Sequence, residues 1–284
     1  MSAAAGDSYA YCDALLRRED SDRWLASIFL PAERRPHVHA LYAFNLEIAR
    51  VRRSVSEPFL GEIRFQWWRE VLAGERASEA AANPVAGALI DTLARCELPS
   101  APLLALIEAR LFDLYDAPMA SAEALEAYAK GTAGQLFQCA AAILDRTAGT
   151  EPGGAAGHAA TAYALTGLMR ALPWHAATGQ VYLPRDMLER HGAIFEAVQA
   201  GISSPALRGA LAELRSRARG HLEKFSVCPD AKAGLAAAAF LPVSLCKGYL
   251  RLMEKVGYEP YATMIRLPQW RRQWCLWRAA RLIK

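Results

Sequence analysis

Residues 41–53 read Leu41-Tyr42-Ala43-Phe44-Asn45-Leu46-Glu47-Ile48-Ala49-Arg50-Val51-Arg52-Arg53. Apolar side chains recur in this segment at helical spacing, at Leu41, Phe44, Ile48 and Val51. This spacing predicts a helix whose apolar stripe is buried in a core. Ala49, Arg50 and Arg53 lie on the remaining face of that helix. The rest of the chain is expected to be organised around it.

The start of this segment carries a motif. Leu41-Tyr42-Ala43-Phe44 and the polar run after it resemble the first signature of the squalene and phytoene synthases, in which Phe-Cys-Arg-x-x-Asp-Asp-x-x-Asp follows Leu-Tyr-Ala. The resemblance implies an all-α, single-domain, isoprenoid synthase-like bundle of helices around a central cavity. Aligned residue by residue, the three aspartates of the family fall on Ala49, Arg50 and Arg53. All three are therefore missing.

A second part of the chain also resembles the family while lacking its aspartates. Residues 165–175 (Leu-Thr-Gly-Leu-Met-Arg-Ala-Leu-Pro-Trp-His) and 179–184 (Gly-Gln-Val-Tyr-Leu-Pro) are similar to the second signature of the family. That signature is roughly Leu-Thr-Asn-Ile-Leu-Arg-Asp-x-x-x-Asp followed by Gly-Arg-x-Tyr-Leu-Pro. Its two aspartates fall on Ala171 and His175, and its arginine falls on Gln180. Near the N-terminus, Asp22-Arg23 stands where the enzymes usually carry a Ser-Phe pair that contacts substrate phosphate.

The missing aspartates matter because the family uses them to hold magnesium against the departing diphosphate. Mg²⁺ takes oxygen ligands in near-octahedral geometry. Ala49 and Ala171 offer no ligand, and His175 alone is a poor magnesium ligand. Arg50 and Arg53 bring positive charge to the position of the metal. We therefore expect no metal, no other cofactor and no magnesium-dependent condensation.

Two other functions stay open at this stage. A prenyl diphosphate-condensing synthase with an atypical active site would need metal ligands from elsewhere. The nearby acidic residues Glu47, Glu57 and Asp186 do not keep the four-residue spacing that places two carboxylates on one helix face. A module that binds an anionic isoprenoid or lipid could hold phosphate oxygens with Arg50 and Arg53, since guanidinium groups bind phosphate in bidentate fashion. Arg50 could instead pair with Glu47.

One subgroup of this superfamily also lacks the aspartates, namely the complex I assembly factor 6 proteins and their bacterial relatives. The chain resembles this subgroup most strongly in five short motifs. The resemblance implies an assembly or scaffolding role toward peripheral NADH dehydrogenase subunits or assembly intermediates. It also implies a place on the inner face of a bacterial inner membrane. The motifs are Ala43-Phe44-Asn45, Ser54-Val55-Ser56-Glu57, Arg64-Phe65-Gln66-Trp67-Trp68, Pro173-Trp174-His175 and Leu183-Pro184-Arg185-Asp186.

Composition agrees with one large helical domain. Of 284 residues, 53% are hydrophobic and 22% are charged, so a sizeable core can be buried. The chain has no run of 18 uninterrupted apolar residues and no charged start before an apolar run, which predicts a cytoplasmic protein without a signal peptide. The six cysteines are scattered, as in reduced cytosolic proteins. We expect no nucleic-acid partner. The predicted division is a helical domain at residues 1–266 and a basic helix at 267–284.

Candidate residues for a ligand cavity come from both signatures and from the run Tyr128-Ala129-Lys130-Gly131-Thr132-Ala133-Gly134-Gln135. The family has a similar run, whose small residues let a prenyl chain approach the backbone. Close packing of two helices through Gly131 and Gly134 is an equal alternative. The full candidate set is Tyr42, Phe44, Arg50, Arg53, Gly131, Gly134, Gln135, Arg170, His175 and Tyr182.

Several helix boundaries are also predicted. Asn83, Ser100 and Ser121 stand where helix caps are expected. Residues 59–73 form a helix with Ile63, Trp67 and Val71 on its buried stripe. A later helix over residues 230–256 should be kinked by Pro242.

The C-terminal segment combines tryptophan with arginine. The formal charge of the whole chain is +4, but residues 247–284 alone sum to +7, which leaves −3 for residues 1–246. At about 100° per residue, the three tryptophans fall within an arc of about 60°. This pattern is typical of a helix that lies on an anionic membrane or docks on a partner, although the tryptophans could also pack back onto the domain. The residues concerned are Trp270, Arg271, Trp274, Trp277, Arg278 and Arg281.

Overall fold

The structure, a computed structural model, describes residues 3–115, 117–147, 154–231 and 234–283. Across these ranges the chain forms helices and no strand, so the all-α prediction is confirmed. The α-helices are α1 (Ala3–Glu19), α2 (Ser21–Ser27), α3 (Arg35–Ser54), α4 (Pro58–Ala73), α5 (Ala77–Ala82), α6 (Pro84–Cys96), α7 (Ala101–Arg110), α8 (Ala122–Ala129), α9 (Gln135–Leu144), α10 (Gly154–Ala177), α11 (Arg185–His191), α12 (Phe195–Gln199), α13 (Pro205–Val227), α14 (Cys246–Leu252) and α15 (Gln269–Ala280). Turns of 3₁₀ helix cover Leu111–Leu114, Pro229–Ala231 and Leu235–Leu245, and a π-helical turn covers Lys130–Gly134.

Helix α3 lies at the centre of the bundle. It begins at Arg35, with Pro36 in the first turn, where the missing N–H of proline costs no hydrogen bond. Every residue from Val38 to Asn45 is buried, because α1, α6 and α9 pack around this part of the helix. Phe44 is fully buried and meets the ring of Trp68 edge-on, with centroids 5.0 Å apart. The buried surface of α3 is therefore wider than the stripe that the sequence predicts.

The first part of the second signature, residues 165–175, lies on α10, a helix of 24 residues that packs along α13 and against the π-helical turn. The helices α8 and α9 continue one another through that turn. Because π-helical turns often occur at functional sites, this irregularity marks a part of the bundle to inspect. The turn faces α10 across the centre of the fold.

Two of the three predicted caps are present. Asn83 accepts hydrogen bonds from the backbone N–H groups of Val85 and Ala86, both at 3.0 Å, and so caps α6. Ser121 caps α8 by accepting the N–H three residues later at 3.2 Å. Ser100 precedes α7, but its side chain makes no capping bond.

The buried stripe predicted for α4 is partly wrong. Val71 is buried as predicted, but Ile63 is half exposed. The core-facing residues include Phe65 and Trp68 instead. The stripe is rotated because α4 packs on α3 through Trp68, which turns Ile63 outward.

The prediction of one kinked α-helix over residues 230–256 is wrong. Leu235–Leu245 winds as a 3₁₀ helix, and the α-helix begins only at Cys246. In an α-helix, the ring of Pro242 would clash with the carbonyl four residues earlier, and its nitrogen has no hydrogen to donate. The residues before Pro242 therefore adopt the tighter winding.

In the part of the chain that the structure describes, one apolar segment, Leu235–Leu252, is long enough to cross a membrane by length and composition alone. Inside the bundle, 61% of this segment is buried. Its first part packs against α9 and α15. A core segment of a helical bundle passes the same test of length and composition, so the observation is weak evidence for a span.

Candidate functional site

The first degenerate motif occupies the last turns of α3. Arg50 Nη2 forms an ion pair with Glu19 of α1 at 2.7 Å, so it pairs with a neighbouring helix rather than with Glu47. Arg53 is exposed in the final turn, and Ala49 is partly buried. Within the described residues, Arg50 and Arg53 stay outside the lining of the central cavity.

The second degenerate motif does reach the cavity. Ala171 and His175 of α10 both line it. The ring of His175 lies against that of Tyr182, with centroids 4.7 Å apart. Burial lowers the pKa of His175 to about 4, and the charges of Arg110 and Arg53 act in the same direction. His175 is therefore neutral around pH 7.

The central cavity has a volume of about 210 Å³ and lies between α2, α3, α7, α8, the π-helical turn and α10. It is smaller than the pockets of roughly 300–1,000 Å³ that hold drug-sized ligands. Small and apolar side chains of the π-helical turn and α10 form much of its wall. Its main polar lining comes from Arg23, Asn45, Arg110, Tyr128, Tyr163 and His175.

Arg23 closes one side of the cavity and is only 8% exposed. Its Nη1 donates to Asp20 Oδ2 at 2.7 Å. Its guanidinium carbon lies 5.2 Å from the ring of Tyr42 and 4.9 Å from that of Tyr163. Burial alone would lower the pKa of Arg23, but Tyr163, Asp20 and Tyr42 together raise it above its usual value. The guanidinium is therefore a permanent buried cation.

Arg110 lines the cavity from α7 and belongs to a second buried cluster. Its Nη1 donates to Asp113 Oδ2 at 2.9 Å and to the hydroxyl of Tyr128 at 2.7 Å. That hydroxyl donates in turn to Asp113 Oδ1 at 2.8 Å. Burial raises the pKa of Tyr128 well above its usual value, so the phenol stays neutral. Gln180, which replaces the arginine of the family, donates to the carbonyl of Asp113 at 2.8 Å.

The remaining candidates from the sequence have packing contacts. Tyr42 is buried against Arg23, and Gln135 is partly buried in the first turn of α9. A Cβ on Gly131 would lie 3.0 Å from Ala109 Cβ, closer than ordinary contact. A Cβ on Gly134 would meet Ala160 Cβ at 3.5 Å, an ordinary contact. Thr132 and Ala133 of the same run line the cavity.

Asp22 connects the cavity region to the C-terminal helix. Its Oδ2 accepts hydrogen bonds from Arg170 Nη1 at 3.2 Å and from the Tyr249 hydroxyl at 2.6 Å. Its Oδ1 accepts a hydrogen bond from Arg272 Nη1 at 2.9 Å. The guanidinium of Arg170 also lies 3.6 Å from the centroid of the Tyr249 ring. One carboxylate therefore holds α2, α10, α14 and α15 together.

Helix α15 docks on the domain with one face and leaves its aromatic face open. Leu276 is fully buried, whereas Trp270, Trp274 and Trp277 are 65%, 54% and 39% exposed. Trp274 and Trp277 stack on each other with centroids 4.9 Å apart. The guanidinium of Arg281 lies 4.7 Å from the ring of Trp277.

Three basic residues accompany this open face. Arg271, Arg278 and Arg281 are all exposed. The guanidinium of Arg271 lies 5.5 Å from the ring of Trp270. We call the three tryptophans and these three arginines the tail surface. Lys284, which the sequence also assigns to this segment, lies outside the described residues.

Comparison with known proteins agrees with this geometry. A family model for squalene/phytoene synthases matches residues 16–278. The chain belongs to the squalene/phytoene synthase family. The resemblance that the two signatures carry is therefore confirmed.

The chain is similar to proteins named for complex I assembly and to a phytoene synthase. It is 31% identical over 263 residues to "NADH dehydrogenase (ubiquinone) complex I, assembly factor 6" of Rattus norvegicus, covering 91% of this chain and 79% of the relative. It is 30% identical over 249 residues to the Homo sapiens protein of the same name, covering 88% of this chain and 74% of the relative. A phytoene synthase of Thermus thermophilus is 28% identical over 263 residues, covering 91% of this chain and 87% of the relative.

Solved structures of the family share the fold. A squalene synthase HpnC from Alicyclobacillus acidocaldarius superposes with a TM-score of 0.70 at 23% identity, covering 89% of this chain and 95% of that chain. A dehydrosqualene synthase in complex with ligand gives a TM-score of 0.76 at 18% identity, covering 97% of this chain and 96% of that chain. At these identities the similarity concerns the arrangement of helices only.

The residues present do not fit the magnesium that the family resemblance implies. No Asp or Glu is found among the described residues that line the cavity. The nearby carboxylate of Asp113 is already bound by Arg110 and Tyr128. Across the described ranges, no three His, Cys, Asp or Glu side chains come close enough together to hold a metal ion. Mg²⁺ needs several oxygen ligands, and this cavity presents cations instead.

Sequence reasoning missed most of the polar residues that line the cavity. Asn45 and Arg23 stand within motifs that the sequence does single out, but the motifs themselves do not indicate that these two side chains line a cavity. Arg110 carries no motif signal, because α7 has no signature of its own. It could have been found only as one of the two charged residues, with Glu108, of the mainly apolar helix Ala101–Arg110.

Proposed function

We propose that this protein is a non-catalytic assembly factor for respiratory complex I that works on a membrane surface. The observation that carries the proposal is the similarity to assembly factor 6 along most of the chain. These relatives are named for complex I assembly, and the similarity spans both degenerate signatures. The partners we propose are peripheral subunits of NADH dehydrogenase or assembly intermediates that contain them.

The non-catalytic part of the proposal is supported by the residues at the metal positions. Ala49 and Ala171 carry no ligand, and Arg50 is neutralised by Glu19 instead of facing a metal. A diphosphate leaves its carbon chain only when its charge is neutralised in the transition state. Without acidic ligands, the cavity has no means of collecting Mg²⁺ for that step.

The membrane part of the proposal is supported by the tail surface. Tryptophans suit the headgroup region of a bilayer because their rings are amphipathic, and arginines are attracted to anionic lipids. Both are exposed on one side of α15 while Leu276 fixes the opposite side to the domain. We propose a peripheral location on the cytoplasmic face of a bacterial inner membrane.

The assembly role is tested by deleting the gene in the organism that encodes the chain. We expect NADH dehydrogenase activity of the membranes to fall and to return when the wild-type gene is restored. Affinity purification from the native membrane fraction should recover peripheral NADH dehydrogenase subunits. Unchanged complex I activity together with no recovered subunits would contradict the proposal.

The alternative, a condensing synthase, is tested directly. The purified protein is incubated with farnesyl or geranylgeranyl diphosphate and magnesium, with a family synthase as the positive control. We expect no release of pyrophosphate above the background of buffer. Pyrophosphate release coupled to a C30 or C40 product would overturn the non-catalytic assignment.

The membrane location is tested with vesicles of phosphatidylglycerol and phosphatidylcholine in a sedimentation assay. We expect the wild-type protein to pellet with anionic vesicles and the triple variant Trp270→Ala/Trp274→Ala/Trp277→Ala to stay in the supernatant. Trp174→Ala is the matched control, since Trp174 is also about half exposed but lies on α10. Equal binding by the triple variant and the wild type would exclude the tail surface as the anchor.

A further inference from the structure

A second cavity lies between α13, the 3₁₀ segment Leu235–Leu245 and the C-terminal end of α15. Its volume is about 550 Å³, within the range of roughly 300–1,000 Å³ of the pockets that hold small organic ligands. Among the described residues, it shares no lining residue with the central cavity. We call it the C-terminal pocket. Most of its described lining is apolar, as in pockets for apolar ligands.

Two phenylalanines form an aromatic wall of the C-terminal pocket. The ring of Phe240 meets that of Phe225 with centroids 5.5 Å apart. Phe240 also contacts Phe137 of α9, which is fully buried, with centroids 5.6 Å apart. Phe240 itself is only 7% exposed. Because Phe240 is packed against the core, this wall exists without a ligand and stands between the pocket and the interior of the bundle.

The outer edge of the pocket is also apolar. Leu282, which follows α15, lines the pocket and is 61% exposed. Ile283 beside it is partly buried and lines the same pocket. Water in a pocket of this kind finds few hydrogen-bond partners on the walls. An apolar chain that entered between this edge and the aromatic wall would remove apolar surface of both from water, which is favourable.

Unpaired positive charges stand at the rim of the pocket. Lys247 and Arg278 both line it and are exposed, and neither has an ion-pair partner among the described residues. Arg219 also lines it, but its guanidinium is already bound by Glu254 through two hydrogen bonds. Glu223 is the one carboxylate in the described lining. Two free cations against one carboxylate make the rim positive.

An apolar interior below a positive rim matches an amphiphile with an anionic head. Ammonium and guanidinium groups form strong, charge-assisted hydrogen bonds to carboxylate and other oxyanions. Lys247 and Arg278 are long side chains, which keep their charge in water while the stem lies on apolar surface. A cationic amphiphile would be repelled at this rim, and a neutral one would leave both cations without a partner.

The pocket opens next to the tail surface. Arg278 belongs to the pocket rim and to the tail surface. At about 100° per residue, it lies about 40° around α15 from Trp274. A lipid can therefore reach the pocket either from solution or from a bilayer in contact with the tail surface.

We infer that the C-terminal pocket binds one acyl chain of an anionic lipid. The chain lies along Phe225 and Phe240, and the anionic head meets Lys247 and Arg278. The site is separate from the central cavity and uses neither of the two signatures. The inference is independent of the role in complex I assembly and of the membrane location, because a free fatty acid in solution fits the same site.

The test measures binding of decanoate, a soluble fatty acid anion, by isothermal titration calorimetry. We expect saturable binding to the wild type. Dodecanoate should bind about tenfold more tightly, because two more methylene groups are buried. Ala279→Trp places a large ring in the pocket and should weaken binding of decanoate at least about tenfold. Trp274→Ala is the control on the same helix, since Trp274 lies outside the pocket, and it should bind decanoate within about twofold of the wild type.

A charge reversal at the rim tests recognition of the anionic head. Lys247→Glu should bind decanoate about three- to tenfold more weakly, because a repulsion replaces an attraction at an exposed site. Decanol has the same chain length and no charge, so Lys247→Glu and the wild type should bind it within about twofold of each other. A purely structural effect of the substitution would weaken both ligands. Lys255→Glu is the matched control, because Lys255 is exposed in the turn after α14 and outside the pocket. If Ala279→Trp does not fold, Lys247→Glu carries the test.

Two further measurements identify the source and the position of the lipid. Organic extraction of protein purified from its native cells, followed by mass spectrometry, distinguishes a free fatty acid from phosphatidylglycerol. A crystal grown with decanoate should show the chain against Phe225 and Phe240 and the carboxylate beside Lys247 or Arg278. The inference would be overturned by the absence of saturable decanoate binding or by equal binding of decanoate to Ala279→Trp, when folded, and the wild type. A crystal in which a segment of protein fills the pocket would overturn it as well.

Discussion

Asp22 Oδ1 accepts a hydrogen bond from Arg272 Nη1 at 2.9 Å, although the two residues are 250 positions apart. The same carboxylate also binds Arg170 and Tyr249. Asp22 stands next to Arg23, which lines the cavity. An ion-pairing carboxylate and a cavity arginine therefore stand side by side in α2. The carboxylate joins the bundle to its C-terminal helix.

Removing the Asp22 carboxylate should lower the unfolding free energy of the whole domain. Asp22→Ala leaves Arg170 and Arg272 without their shared carboxylate, and losing hydrogen bonds to this partly buried charged group should cost about 1–3 kcal/mol of unfolding free energy. Urea unfolding followed by circular dichroism measures the loss.

Arg272→Met breaks only the contact with α15, so we expect a smaller loss of unfolding free energy and faster trypsin cleavage of the C-terminal helix. Arg271→Met is the control, since Arg271 is exposed, and it should change neither quantity. Equal stability of Asp22→Ala and the wild type would show that the joint contributes nothing.

Substitutions on the two faces of α15 should affect different properties. The buried face should determine stability, and the exposed face should determine membrane binding. Leu276→Ala removes a fully buried side chain and should lower the unfolding free energy by about 2–5 kcal/mol. Trp274→Ala changes an exposed residue and should cost about 1 kcal/mol or less. In the vesicle assay the order reverses, with Trp274→Ala the weaker binder at a temperature where both variants are folded. Equal loss of stability in the two variants would mean that the tryptophans are part of the core.

Sequence reasoning predicted the fold because the two signatures fix the register of α3 and α10, the helices that contain them. Local signals also predicted the caps at Asn83 and Ser121, where a side chain acts on its own helix. The predictions failed where tertiary packing decides. Ile63 lies on a plausible apolar stripe but is turned outward by the packing of Trp68 on α3.

The residues of the cavity were harder to predict for a related reason. Arg23 and Arg110 come from helices separated by most of the N-terminal half of the chain, and only the fold brings them to one cavity. Arg50 was the stronger candidate in sequence because it occupies a metal position. In the structure, Arg50 forms an ion pair with Glu19 of α1. No local sequence pattern reveals this contact between two helices.

The run of small residues after α8 offers a test of helix packing. Gly131→Ala would bring a Cβ to 3.0 Å from Ala109 Cβ, whereas Gly134→Ala makes an ordinary contact at 3.5 Å. Overpacking costs typically about 1–3 kcal/mol. We therefore expect Gly131→Ala to be less stable than Gly134→Ala by about that amount in thermal or urea unfolding.

A second substitution shows whether crowding is the cause. Ala109→Gly in the Gly131→Ala background restores the space between α7 and the π-helical turn. A positive coupling energy in this double-mutant cycle is expected if the two Cβ atoms collide. Additive effects would instead assign the cost of Gly131→Ala to the backbone of the turn.

The burial of His175 should make the domain sensitive to acid. Its pKa in the folded protein is about 4, below the ordinary value of 6.5 in an unfolded chain. The unfolded state therefore binds a proton more readily, so stability is fully present above about pH 6.5 and is lost as the pH falls toward 4. From the size of the shift, the loss is roughly 3 kcal/mol at most.

The variant His175→Gln isolates this contribution, because every other titrating group is common to both proteins. We expect the unfolding free energy of the wild type to fall more steeply than that of His175→Gln between about pH 6.5 and pH 4, with parallel curves above that range. Urea unfolding at several pH values gives both curves. Parallel curves throughout would mean that His175 takes up its proton in the folded state as easily as in water. That result would require the cavity beside it to be open to solvent or to hold a negative charge, because either would remove the penalty that burial places on the imidazolium.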